Sequence, residues 1–188
     1  MKKTVLAILG MLLFLHAAVP LRAQAGYAAS AALDEYLVKG SLLINIPKFV
    51  TFPASALSEK GPFVIGVLGN NPFSDVLEDL ARKGRIQGRT VTVRYPKKVS
   101  DAGGCHLLYI GVSEGKRVAK ILKALRGKSI LTVSDVRDFA GRGGMVGLVS
   151  ENNRVQFEIN PEAFRKGGLK AGTQLTKLAS RVIPEEGP

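Results

Sequence analysis

Residues suited to redox or metal chemistry are scarce in this chain, which has one cysteine, two histidines and no tryptophan among 188 residues. Because Cys105 stands alone, an intrachain disulfide is excluded and the fold must be held by packing. A structural zinc site uses about four Cys or His ligands, more than this chain has. Cys105 and His106 are neighbours on a predicted strand and point to opposite faces, so they do not form a catalytic dyad.

Long apolar runs are confined to the N-terminus. Lys2 and Lys3 precede an apolar run at residues 4–19, and Ala23 and Ala25 are the small residues that signal peptidase requires. The run has about 16 residues, short of the roughly 20 that span a bilayer, so an uncleaved anchor is the weaker alternative. We predict a signal peptide over residues 1–25, cleavage after Ala25, and one exported, periplasmic domain over residues 26–188.

Acidic residues are outnumbered, with 15 acidic against 27 basic side chains and a net charge of +12. Removing Lys2, Lys3 and Arg22 with the signal peptide leaves 24 basic residues and a net charge of +9. An exported protein rarely meets nucleic acid. The charge therefore favours an anionic lipid surface or an acidic protein partner.

Apolar runs followed by helical patterns recur along the rest of the chain. Residues 63–68 lack polar alternation and predict a strand covered on both faces, after which Asn71 and Pro72 predict the cap and first turn of a helix. Residues 107–112 and 130–133 are two further strands of this kind. Residues 89–95 alternate in polarity and predict a half-exposed strand near an edge.

These strand-then-helix units argue for a mostly parallel sheet. Residues 145–149 and 155–159, joined through residues 151–154, predict an antiparallel β-hairpin near the C-terminus. The predicted fold is a single-domain, Rossmann-like α/β fold of three layers, with a mostly parallel sheet and a C-terminal hairpin.

A small-molecule pocket, if present, is expected beyond the carboxyl ends of the strands. Its candidate lining residues are Asn70, Asn71, Phe73, Ser134 and Arg142. The glycines do not form a phosphate-binding loop, because the segment at residues 66–69 lacks the Gly-x-Gly-x-x-Gly turn and the glycines at residues 141–144 precede a strand. No cofactor is predicted.

The helix predicted after the strand at residues 107–112 carries a basic face. Its inward positions are apolar, whereas Lys116, Arg117, Lys120 and Lys123 lie on the opposite side. A solvated surface is the simplest interpretation, and a docking surface is the alternative. Asp135 and Asp138, three residues apart, are interpreted as exposed acids on a short helix rather than as a general acid and base.

Several motifs in order resemble the YfiR family of exported bacterial proteins. The resemblance rests on residues 63–73, 87–89, 105–110, 131–135, 139–145 and 155–160. Residues 45–53 resemble the first-helix motif of the family, although Pro47 and Phe52 replace the usual alanine and tryptophan. The likeness covers nearly the whole chain after the predicted signal peptide.

The resemblance implies a compact periplasmic α/β protein, often dimeric, that restrains a membrane-bound diguanylate cyclase by binding its periplasmic sensor region. Other relatives accompany sensor kinases. Members with paired cysteines exist, but Cys105 has no such partner. We therefore expect a non-enzymatic regulator that binds an inner-membrane signalling protein and can form a homodimer. The alternative from another class is a periplasmic small-molecule binding module.

Overall fold

The computed structural model describes residues 34–57, 61–152 and 154–184. The predicted signal peptide and its cleavage site at Ala25 lie outside the described residues. Within the described ranges, every helix is too short or too polar to cross a membrane.

Strands and helices alternate along most of the chain. The strands are β1 Val50–Thr51, β2 Phe63–Leu68, β3 Val91–Arg94, β4 Leu107–Ile110, β5 Leu131–Ser134, β6 Val146–Glu151, β7 Arg154–Ile159, β8 Lys170–Ala171 and β9 Arg181–Val182. The α-helices are α1 at residues 34–45, α2 Val76–Lys83, α3 Val118–Ala124, α4 Pro161–Lys166 and α5 Thr173–Leu178.

Seven strands form one sheet in the order β3-β2-β4-β5-β6-β7-β9. The pairs from β3 to β6 are parallel, β6 and β7 pair antiparallel, and β7 and β9 are parallel. The predicted mixed α/β class with a mostly parallel sheet is therefore confirmed, and β3 lies at the edge as expected. β1 and β8 form a separate antiparallel pair.

Alternate side chains of the sheet enter two different cores. Ile65 and Tyr109 belong to a core that also contains Leu77 of α2 and Leu43 of α1. Leu108, next to Tyr109 on β4, belongs to a second core that includes the inward side chains of α3. Parallel strands buried on both faces explain why the apolar runs showed no polar alternation.

The predicted start of the first crossover helix is wrong. α2 begins at Val76 rather than at Pro72. The Asn71 side chain accepts a hydrogen bond from the backbone N–H of Phe73 at 2.9 Å, which closes a local turn instead of capping a helix. Ser74 then has a positive φ of 48°, which is incompatible with a continuous helix. The residues between β2 and α2 therefore form a structured loop at the carboxyl end of the sheet.

Candidate functional site

The order of strands reverses at β2, whose neighbours are β3 on one side and β4 on the other. In open α/β sheets such a reversal separates the loops that follow two adjacent strands and creates a crevice there. The loop after β2 contains Asn70, whose backbone N–H donates to Ser113 Oγ in the segment after β4 at 2.9 Å. Gly69, which precedes Asn70, has φ +93°, and an added Cβ would lie 2.5 Å from Ser113 Oγ. The two loops approach so closely that only glycine fits.

Asn71 belongs to a polar contact with the edge strand. Its side-chain N–H donates to the Tyr95 hydroxyl at 3.3 Å. The Tyr95 hydroxyl in turn donates to Glu78 on α2. Burial and the Glu78 carboxylate raise the pKa of Tyr95. These contacts fix the loop against α2 and β3.

A buried ionic cluster, which we call the Lys39 cluster, joins α1 to the same end of the sheet. Its members are Glu35, Tyr36, Lys39, Tyr109 and Asp135. Lys39 Nζ lies 2.7 Å from Asp135 Oδ2 and 2.6 Å from Glu35 Oε1, and the side chains of Lys39 and Asp135 are only 5% and 4% exposed. Asp135 also accepts hydrogen bonds from Tyr109 at 2.6 Å and from Tyr36 at 3.2 Å. Buried charges of both signs are therefore paired.

Four side chains of the Lys39 cluster have shifted pKa values. Burial alone lowers the pKa of Lys39, but hydrogen bonds to Asp135 and Glu35 outweigh burial, so the pKa is raised. Burial, followed by the Asp135 charge, raises the pKa of both Tyr109 and Tyr36. The hydrogen bond from Lys39 lowers the pKa of Glu35. Lys39, Tyr36 and Tyr109 therefore favour their protonated forms, and Glu35 favours its ionised form, as at neutral pH.

These shifts predict a loss of stability at alkaline pH. Lys39, Tyr36 and Tyr109 have ordinary pKa values of 10.5 and 10.0, and each is raised in the folded chain. Their contribution is fully present below pH of about 10 and is lost as pH rises through the raised values, because the unfolded chain releases these protons first. The free energy of unfolding, measured in urea from pH 8 to pH 11, should decrease, and Tyr109→Phe should reduce the slope. A constant or rising free energy would contradict this assignment.

Phe73, one of the sequence-predicted site residues, supports the Lys39 cluster from the side. Its ring makes edge contacts with Tyr109 and Tyr36, with centroids 4.8 Å and 5.6 Å apart. Phe73 is 1% exposed. The side chain therefore packs the tyrosines in place and does not face solvent.

Ser134 and Arg142 lie in different surroundings. Ser134 is fully buried, donates to the Ile110 carbonyl at 2.5 Å and accepts from the Val136 N–H at 3.0 Å. Arg142 is exposed and donates to the Gly115 carbonyl at 2.9 Å. The structure thus connects Phe73 to the Lys39 cluster, while Ser134 is occupied by backbone groups and Arg142 lies against the segment after β4.

The interpretation of Asp135 as an exposed acid is wrong. Its side chain is almost completely buried, whereas that of Asp138 is 54% exposed. The predicted short helix is also absent there, because residues 137–143 form turns. Sequence reasoning also missed Lys39, although its spacing of four residues from Glu35 on a helix was a signal for an ion pair.

The basic face is exposed as the sequence predicted. Lys116 lies in a short 3-10 helix, Val112–Arg117, that leads into α3, and Lys120 and Lys123 follow on α3 itself. All three are exposed, while Val118, Ile121 and Leu125 on the other side are buried. We call Lys116, Lys120 and Lys123 the lysine face.

Burial shifts the pKa values of the only cysteine and of the adjacent histidine. Cys105 is 4% exposed, and burial raises the pKa of its thiol. His106 Nδ1 accepts a hydrogen bond from the Val64 N–H at 2.9 Å, and burial lowers its pKa, so the ring is neutral. Across the part of the chain that the structure describes, His, Cys, Asp and Glu side chains do not gather in threes as a metal site requires.

These features define a mixed α/β protein with a mostly parallel sheet, a buried ionic cluster at one end of that sheet and an exposed lysine face. The model of the YfiR/HmsC-like family (DUF4154) matches residues 36–180, and the chain belongs to this family. The membership that the sequence motifs predicted is thereby confirmed. Members of the family are periplasmic regulators rather than enzymes, and the family indicates a role in diguanylate cyclase signalling through a periplasmic sensor protein.

Proposed function

We propose that this chain is a periplasmic, non-enzymatic protein that binds and restrains the periplasmic sensor region of an inner-membrane diguanylate cyclase or sensor kinase. The family match supports this proposal. The proposal includes a signal peptide over residues 1–25, cleaved after Ala25, and a single domain over residues 26–188 that can form a homodimer.

The lysine face is the observation that carries the proposal. Its three ammonium groups are exposed on one side of a short segment. Among the described residues, none forms an ion pair with Lys116, Lys120 or Lys123. Unpaired surface charge adds little to stability but accelerates encounter with a surface of opposite charge. The lysine face therefore suits an acidic patch on a sensor region.

We also propose that the fold is Rossmann-like, with three layers and with β6 and β7 as a C-terminal hairpin. The strand order supports this assignment, since the chain proceeds outward from β2 in both directions. Cores on both faces of the sheet support the three layers.

Reversing the charge of the lysine face tests the function. The variant Lys116→Glu, Lys120→Glu, Lys123→Glu should bind the cognate sensor region at least about tenfold more weakly, because attraction becomes repulsion. Its melting temperature should change by a few degrees at most, since exposed substitutions alter stability by about 0.5 kcal/mol or less each. Binding is measured by calorimetry at low and at high salt.

A matched control distinguishes the effect of the lysine face from the effect of the net charge of the protein. Lys97, Lys98 and Lys177 are also exposed, and replacing all three by glutamate changes the net charge by the same amount. This control should bind like the unmodified chain. Equal weakening by both triple variants, or no weakening by the first, would contradict the assignment of the lysine face.

The alternative function, a small-molecule binding module, requires a pocket at the carboxyl ends of the strands. Two grooves in the described part of the chain are not lined by Asn70, Asn71, Phe73 or Ser134, although Arg142 lines one of them. Asn70 and Asn71 are instead bonded to neighbouring side chains. We therefore retain protein binding as the proposed function.

A further inference from the structure

A groove of about 390 Å³ lies between the end of α3, the loop that precedes β6, and α4. We call it the α3–α4 groove. Five charged side chains line it, namely Lys123, Arg126, Arg142, Glu162 and Lys166. Its volume lies within the range of about 300–1,000 Å³ typical of small-molecule sites.

The charge of the lining is strongly one-sided. Glu162, the one carboxylate among the described lining residues, already lies 2.5 Å from Lys166 Nζ. No described residue forms an ion pair with Lys123 or Arg126. Within the described part of the chain, Lys123, Arg126 and Arg142 thus carry no ion pair inside one concave surface, where their fields add and attract anions.

Arg142 is also held in position. Its Nη2 donates to the Gly115 carbonyl at 2.9 Å, so one of its five N–H groups anchors the guanidinium, and no other described residue bonds the remaining four. A fixed guanidinium binds a planar or tetrahedral oxyanion with less loss of conformational freedom than a mobile one. The groove therefore has a preset donor as well as a favourable potential.

The inner wall of the groove is apolar. Leu125, Ile130 and Met145 line it and are each between 5% and 7% exposed. Such a wall can bury the hydrocarbon part of a ligand. An inorganic ion has no such part. The combination of cations and an apolar wall selects a ligand with both parts.

We propose that the α3–α4 groove binds a small amphipathic anion, with a carboxylate or phosphate head and a short apolar body. The head contacts Arg126 and Arg142, and the apolar body lies against Leu125, Ile130 and Met145. This site is separate from partner binding, except that Lys123 belongs both to the groove and to the lysine face.

Octanoate and octanamide are suitable probes, because they share the apolar body and differ in charge. Titration calorimetry of the full chain at low salt should show octanoate binding at least about tenfold more tightly than octanamide. Acetate, which lacks the apolar body, should bind more weakly than octanoate. High salt should weaken octanoate binding, since exposed charges are screened.

Variants locate the site. Arg126→Gln with Arg142→Gln should weaken octanoate binding at least about fivefold, whereas the control Lys97→Gln with Lys98→Gln should not. Arg126→Gln alone removes an exposed side chain without touching the Gly115 contact, and melting curves verify that each variant is folded. Measurable binding of octanoate and octanamide with equal affinity, or unchanged octanoate affinity in folded Arg126 variants, would overturn the proposal.

The same head group can come from a membrane lipid. Vesicles of phosphatidylcholine with phosphatidylglycerol supply it in a bilayer. Binding to these vesicles that depends on Arg126, without binding of free octanoate, would support the site with a lipid as its source. Absence of binding to both octanoate and vesicles would refute the site.

Discussion

Asp135→Ala should lower the free energy of unfolding by about 3 kcal/mol, the lower part of the range for breaking a buried ion pair. The substitution leaves the Lys39 ammonium buried with only Glu35, at 2.6 Å, as an ionic partner. It also removes the acceptor of the Tyr36 and Tyr109 hydroxyls, two hydrogen-bond donors in a partly or fully buried environment. Urea unfolding at neutral pH measures the loss.

A double-mutant cycle distinguishes the ion pair from simple packing. Lys39→Met combined with Asp135→Leu removes both charges, so the double variant should be more stable than the sum of the single effects by more than about 1 kcal/mol. The exposed pair Asp79 and Arg82 is the matched control, and Asp79→Ala should cost about 0.5 kcal/mol or less. Additive effects at Lys39 and Asp135 would show that the two charges are not coupled.

Phe73→Ala should destabilise the protein by about 3 to 5 kcal/mol, as expected for removal of a fully buried ring. The ring fills the space between Tyr36 and Tyr109, so its loss leaves a cavity beside the Lys39 cluster and two tyrosines without their edge contacts. The measurement is the free energy of unfolding from urea titration.

Two further substitutions serve as controls for this cavity. Phe73→Leu retains most of the volume and should cost less than Phe73→Ala. Phe49 is 37% exposed, and Phe49→Ala should cost clearly less because part of its ring is already in water. Equal losses at Phe49 and Phe73 would contradict the role assigned to Phe73.

The parallel sheet and the faces of α3 could be predicted from sequence because their signals are local. Apolar runs without alternation identified β2, β4 and β5, which are covered on both faces. A period of three to four residues placed Val118, Ile121 and Leu125 inside and the lysine face outside. Family motifs in a fixed order predicted membership of the YfiR family, which the family model that matches residues 36–180 confirms.

The Lys39 cluster could not be predicted because its members come together only through the tertiary fold. Lys39 and Asp135 are 96 residues apart in the sequence. An aspartate after a strand has the same local pattern whether it is solvated or buried against a lysine. The start of α2 was misplaced for a related reason, since an asparagine before proline can close a turn as readily as it can cap a helix.

The long sequence separation within the Lys39 cluster also limits when Lys39 can acquire its buried partner as the chain folds. α1 is made early during synthesis, but Lys39 has no buried counter-ion until Asp135 is available. β1 has no partner strand until β8 exists, because Val50 pairs with Ala171. Closing such large loops before the intervening strands pair is entropically costly. A fragment that ends before residue 135 therefore retains the apolar contacts of α1 with Ile65 and Leu77 but lacks the carboxylate that pairs with the buried Lys39.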